Sequence, residues 1–118
     1  MSIANEYEPD PVKNLTTPLW ECVSSNYTKD NRHFPYWREV YQDFKERDEF
    51  GKLKYGVSLQ AFNGRNPKAD LRQEVLDSIV YSYQCYIECE DPIKKSNYKT
   101  THQTLITMYE NLVLIEKE

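Results

Sequence analysis

KADLRQEVLDSIVYSYQCYIEC, residues 68–89, is the stretch whose reading decides the fold. Leu71, Val75, Ile79, Tyr83 and Tyr86 recur at steps of three and four, the period at which side chains return to one face of an α-helix. Leu76, Val80 and Ile87 widen that stripe. So broad an apolar face predicts a long helix, from Lys68 to about Cys89, buried between other helices. Asp91–Pro92 ends it, because the residue before a proline resists helical backbone.

Working outward, Leu105, Ile106, Tyr109, Leu112 and Val113 predict a last helix over about 100–114. On the other side, 51–67 holds all three glycines and no sustained period, so it reads as a loop, with a helical turn at most around 52–55. Its Leu53, Leu59 and Phe62 are buried-type residues, which favours an ordered loop. Trp37, Val40, Tyr41, Phe44 and Phe50 mark one face of a helix over 36–50, with Pro35 in its first turn and Gly51 at its end or at a bend. A short helix is expected from Pro18 to about Ser25, a polar turn over 26–33, and an irregular arm over 1–18 interrupted by Pro9, Pro11 and Pro18. No stretch alternates as a strand does. The expected fold is all-α, an antiparallel helical bundle: a 1–33 arm with a short helix and a 34–118 helical domain, together one structural domain.

The chain has 118 residues, 39% of them hydrophobic, and a mean hydropathy of -0.83. That is little apolar surface for a self-contained monomer, so a homo-oligomer is expected, a dimer or tetramer. The formal charge of -4, with both signs interspersed, leaves no basic stripe for a nucleic-acid backbone. Cys22, Cys85 and Cys89 are odd in number, and the last two lie four apart on the buried side of the long helix, a poor disulfide geometry. A reduced, cytoplasmic setting follows. No segment suits a membrane span, and MSIANEYEPDP lacks the apolar core of a signal peptide.

Two pairs of acids stand out. Asp43 and Glu46 lie three apart on one expected helix, Glu74 and Asp77 three apart on the next. Residues so spaced share a helix face, and both pairs are expected to border the apolar stripe. If the two helices pack antiparallel, the pairs face one another across the seam. Four converging carboxylates repel and resist desolvation unless a cation sits among them. Hard oxygen donors in this number suit Mg²⁺, with Mn²⁺ able to substitute. Spacing alone is weak support, since charges three apart on a helix are usually a solvated face.

The stretch FKERDEFGKLKYGVSLQAFNGRNPKADLRQEVLDSIVYSYQCYIE, residues 44–88, adds to that reading. It resembles the MazG-like, all-α nucleoside triphosphate pyrophosphohydrolases, above all the small phage-type members with a Lys-Tyr-Gly…Asn-Gly-Arg loop. The family pattern is Glu-Glu-x-x-Glu, a spacer, then Glu-x-x-Asp. Here Gln42-Asp43-x-x-Glu46 stands in the first place and Glu74-x-x-Asp77 in the second, so Gln42 and Asp43 depart from the pattern. The resemblance implies hydrolysis of a nucleoside triphosphate between its α- and β-phosphates, giving the monophosphate and pyrophosphate. Asp43, Glu46, Glu74 and Asp77 would hold Mg²⁺ as the catalytic ligands. It further suggests a purine deoxynucleotide, dGTP or dATP, a site completed by subunit pairing, and, for a phage-encoded chain, action in the host cytoplasm.

In that context Lys54 and Arg65 would neutralise the outer phosphates, Arg65 by a two-pronged grip. Asn63 reads equally as turn chemistry before Gly64 and as a contact to base or ribose. Tyr81, four beyond Asp77, would touch the nucleotide or fill the core. Glu49 is a weaker candidate to orient water, and a surface acid is the plainer reading. Tyr55, Trp20, Trp37, Phe34 and Tyr36 read as packing or interface residues, His33 and His102 as ordinary polar ones. The rival to the enzyme is a helical module that binds a nucleotide or a partner without turnover, with a plain structural dimer behind it.

Overall fold

Asn66 and Pro67 start the long helix. The Asn66 side chain accepts the amides of Lys68 (3.1 Å) and Ala69 (3.2 Å), and Pro67 occupies the first turn, where its missing N–H costs nothing. The computed structural model describes residues 10–117, and their regular elements are all α-helices: α1 Leu19–Asn31, α2 Trp37–Tyr55, α3 Pro67–Glu88 and α4 Pro92–Lys117. The only extended pairing among the described residues is an isolated bridge between Pro18 and Gln60. The chain is all-α, as expected. Of the expected arm, residues 1–9 with Pro9 lie outside the described residues, and 10–18 carries no helix.

α3 falls where its periodicity placed it, but its neighbours run longer than expected. α1 continues to Asn31 through the segment expected to turn; the Thr28 hydroxyl donates back to the Ser24 carbonyl (2.8 Å). α2 passes through Gly51 and stops at Gly56, whose φ of 77° and amide bond to the Lys52 carbonyl (2.7 Å) form a left-handed cap. Only a residue without a Cβ takes that conformation cheaply, and Gly51 has no positive φ. The loop therefore covers 56–66 instead of 51–67. α4 begins at Pro92, not near Thr100. Asp91 Oδ1 accepts the amides of Ile93 (2.9 Å) and Lys94 (3.0 Å), so Asp-Pro both closes one helix and opens the next.

The described residues form two compact units, 10–65 and 66–117. In the second, α3 and α4 make an antiparallel hairpin. As α3 advances through Arg72, Ser82 and Tyr86, its partners on α4 recede from Glu116 and Tyr109 through His102 to Lys95. Arg72 pairs with Glu116 and donates to the Tyr109 hydroxyl (3.1 Å). Its guanidinium is held above its ordinary pKa, first by that hydrogen bond and then by the Glu116 charge, against the cost of burial. His102 Nδ1 lies 3.0 Å from the Ile79 carbonyl and 3.1 Å from the Ser82 hydroxyl. Lys95 Nζ donates to the Tyr86 carbonyl (2.7 Å) above the Tyr86 ring. Between these contacts lies Val75, 7% exposed, the only buried apolar residue among the described residues. The rest of the expected stripe is less covered: Leu71, Val80, Tyr83 and Ile87 are half or more exposed.

In the first unit, α1 and α2 also form a hairpin, joined by residues 32–36. Phe44 centres it, with Trp20 at 6.0 Å and Tyr27 edge-on at 5.5 Å between ring centroids. Ser24 is buried and spends its hydroxyl on the Trp20 carbonyl (2.6 Å), so a small side chain meets α2 without an open polar group.

Candidate functional site

The loop after α2 is held by the segment that precedes α1. Val12 donates its amide to the Asn63 carbonyl (2.9 Å), and Leu19 to the Leu59 carbonyl (2.7 Å). Asn14 donates its amide to Gln60 Oε1 (3.0 Å) and its side chain to the carbonyls of Ala61 (3.0 Å) and Phe62 (3.1 Å). Gln60 Nε2 returns to the carbonyls of Asn14 (2.8 Å) and Thr16 (2.6 Å). Gln60 and Asn63 are both 8% exposed, so this loop is built on polar burial fully matched by partners.

Asn63 Oδ1 accepts the Arg65 amide (3.0 Å) across Gly64, whose φ is 87°. This is the turn-forming use of Asn63. The clasp also fixes Phe62 at φ 55° with its ring almost wholly in solvent. Phe62 and Leu53, expected to be buried, are among the most exposed apolar residues. Lys54 is exposed, its Nζ 5.2 Å from the Tyr55 ring centroid, and Arg65 is half-buried.

The acids divide between the units. Asp43 and Glu46 stand on α2, Glu74 and Asp77 on α3, all four exposed, and Tyr81 is exposed beyond Asp77. Successive residues turn about 100° around a helix. Asp43 and Glu74 therefore flank Phe44 and Val75, as expected. Glu46 and Asp77 lie further round, Asp77 next to Leu76 and Val80 and Glu46 next to Phe50 at the edge of the stripe. Within either unit, no three His, Cys, Asp or Glu among the described residues gather as a metal site. A pair of exposed carboxylates still fits Mg²⁺, which keeps several waters and takes one or two carboxylates beside substrate phosphates.

The outward side of α2 carries an open groove of about 470 Å³, lined by Gln42, Lys45, Glu46, Glu49, Phe50 and Leu53. On the inward side, the α1–α2 seam carries a second, half-open hollow of about 240 Å³ lined by Trp20, Ser24, Tyr41, Asp48 and Lys52 among others. Lys45 and Glu49 line both. Lys52 Nζ lies 3.1 Å from Glu49 and 3.7 Å from Asp48 Oδ2. Its ammonium is held above the usual lysine value, first by the hydrogen bond to Glu49, then by the Asp48 charge. Glu49 is thus half of a surface ion pair. Asp48 Oδ1 is buried and has no hydrogen-bond partner.

Asp48 was missed in the sequence, although it left a signal: it lies four beyond Phe44, in register with the buried stripe. Cys85 is exposed and Cys89 half-buried, so neither is the covered apolar residue expected; all three cysteines are free. No helix among the described residues is long and apolar enough to cross a membrane. No protein-family model, curated protein or solved structure matches the chain.

Proposed function

We propose that this chain hydrolyses a purine deoxynucleoside triphosphate, dGTP or dATP, to the monophosphate and pyrophosphate, with Mg²⁺ held by Asp43, Glu46, Glu74 and Asp77. The observation that carries the reading is the α2 groove. There Glu46 stands beside a cation, Lys45, and an apolar wall of Phe50 and Leu53. A nucleotide needs those three chemistries together: hard oxygen for a metal, positive charge for phosphate, and a flat apolar surface for base or sugar. The two acid pairs at the spacing of the MazG-like pattern support it further. Mg²⁺ bound at these acids would offset phosphate charge and lower the pKa of a water.

The chain's own residues do the positioning. Lys45, with Lys54 and Arg65 nearby in sequence, supplies the positive charge against which a triphosphate would settle. Exposed apolar residues on α3, Val80, Tyr81 and Ile87, and on α4, Ile93, Leu114 and Ile115, are surface that a second copy would cover, which supports a homo-oligomer, and the three free cysteines support action in a reduced cytoplasm. Incubation with each common deoxynucleoside and ribonucleoside triphosphate and Mg²⁺, followed by chromatography, tests the proposal. Monophosphate and pyrophosphate are expected. Diphosphate with free phosphate would place the cleavage elsewhere.

One observation favours a second reading, a module that binds a nucleotide without turning it over. Asp43 does not line the α2 groove beside Glu46. On that reading, binding occurs and every triphosphate survives the assay.

A further inference from the structure

We infer that the hollow between the segment preceding α1 and the C-terminal end of α2 binds a small phosphate-type oxyanion between Lys13 and Lys52. The inference goes beyond the nucleotide reading and does not depend on it, since it concerns other residues and requires no turnover.

The hollow has a volume of about 280 Å³, and Lys13, Lys52, Gly56, Val57, Ser58 and Gln60 are among the residues that line it. Its charge sets it apart. The groove on the outward side of α2 and the hollow of the α1–α2 seam both put acids beside their lysines, Glu46 and Glu49 in the first, Asp48 and Glu49 in the second. Here two lysines meet with no acid among the lining residues, in a chain whose formal charge is -4. The uncommitted polar groups are mostly donors. Gln60 is already spent, because Oε1 accepts the Asn14 amide and Nε2 donates to the carbonyls of Asn14 and Thr16. The Lys13 ammonium and the Ser58 hydroxyl have no partner among the described residues. The Val57 and Ser58 amides, just past the left-handed Gly56, donate to no backbone carbonyl among them either. A phosphate group, with about 1.5 to 2 negative charges near pH 7 and three acceptor oxygens, matches two ammonium groups and a hydroxyl. A carboxylate brings one charge and leaves one lysine unmatched.

Two effects oppose an anion here. Lys52 is shared with Glu49 at 3.1 Å and Asp48 at 3.7 Å, and the last carbonyls of α2 together carry roughly half an elementary negative charge. Those charges offset Lys52, so Lys13 decides the sign of the site. The backbone on both sides of Lys13 is fixed. The Val12 amide donates to the Asn63 carbonyl, and Asn14 is bonded to Gln60, Ala61 and Phe62. An anion bridging Lys13 and Lys52 would in turn hold this segment against α2, so anion binding and closure of the Asn14–Gln60 clasp favour one another.

Amide NMR titration of the full chain with inorganic phosphate, at ionic strength held constant with chloride, tests the inference. Saturable shifts at Gly56, Val57 and Ser58 are expected, with a dissociation constant of about 1 mM, and acetate should bind at least about tenfold more weakly. Lys13→Gln should weaken phosphate binding about tenfold, while Lys13→Arg keeps it within about threefold. Lys13 is exposed, so both variants should melt as the unaltered chain does. Asn14→Ala, which opens the clasp, should also weaken binding. Glycerol phosphate bound as tightly as free phosphate assigns the site to the end group of a phosphate ester, and weaker binding assigns it to the free ion; both keep the inference. No saturable shift at residues 56–58 by about 20 mM phosphate, equal binding of acetate, or a Lys13→Gln titration that matches the unaltered chain overturns it.

Discussion

The two hairpins are packed with different chemistry. The α3–α4 seam is tied by polar contacts, Arg72 to Glu116 and Tyr109, Ser82 to His102 and Lys95 to the Tyr86 carbonyl, with Val75 covered between them and Arg72 Nε buried without a hydrogen-bond partner. α3 also starts on a side-chain cap, which α1 and α2 lack. The α1–α2 seam packs aromatics on Phe44 and leaves Asp48 Oδ1 buried without a hydrogen-bond partner. Each seam thus forgoes some stability at one buried polar atom, and they differ in whether polar contacts or aromatic packing supplies the rest.

The comparison can be broken by substitution. Arg72→Ala should cost more stability than any other change named here, because Arg72 is itself buried and its loss empties its place in the α3–α4 seam and takes the donor from the Tyr109 hydroxyl; chemical denaturation measures the loss. Val75→Ala is expected to cost about 2 kcal/mol by the same measurement, since it removes two carbons from the covered point of that hairpin. Asn66→Ala should cost about 1 kcal/mol by freeing the Lys68 and Ala69 amides at the start of α3. Asp48→Leu, in contrast, should raise stability by about 1 kcal/mol, because it removes a buried carboxylate oxygen that has no partner. If it destabilises the chain as Val75→Ala does, the α1–α2 seam is ordinary core and the contrast between the hairpins disappears.

What could be read in the residues beforehand follows from which forces leave a periodic trace. α3 was legible end to end because its apolar residues keep helical spacing for six turns. The first turns of α4 were not, because Lys94, Lys95, Ser96 and Asn97 have no apolar period. They are helical from the Asp91 cap onward, and the threonines at 100, 101, 104 and 107 keep their hydroxyls within the helix by bonding to carbonyls four residues back. The end of α2 was misplaced because two glycines compete for it, and only backbone conformation distinguishes Gly56 from Gly51. In the candidate site, the acid pairs were visible by spacing. The clasp of Asn14 and Gln60, 46 residues apart, was not, because a long-range hydrogen bond leaves no local pattern. Asp48 was hidden by its company, one acid among charged neighbours, until its place in the Phe44 register gave it a buried oxygen.

The claim beneath all of this is that Glu46, on the outward side of α2, belongs to a metal-dependent site for triphosphate cleavage. The direct test is the rate at which unaltered chain and Glu46→Gln release pyrophosphate from dGTP with Mg²⁺ present, at matched melting temperature. The account expects dGMP and pyrophosphate from the unaltered chain and a loss of about a hundredfold or more in the variant. Equal rates from the two would contradict it.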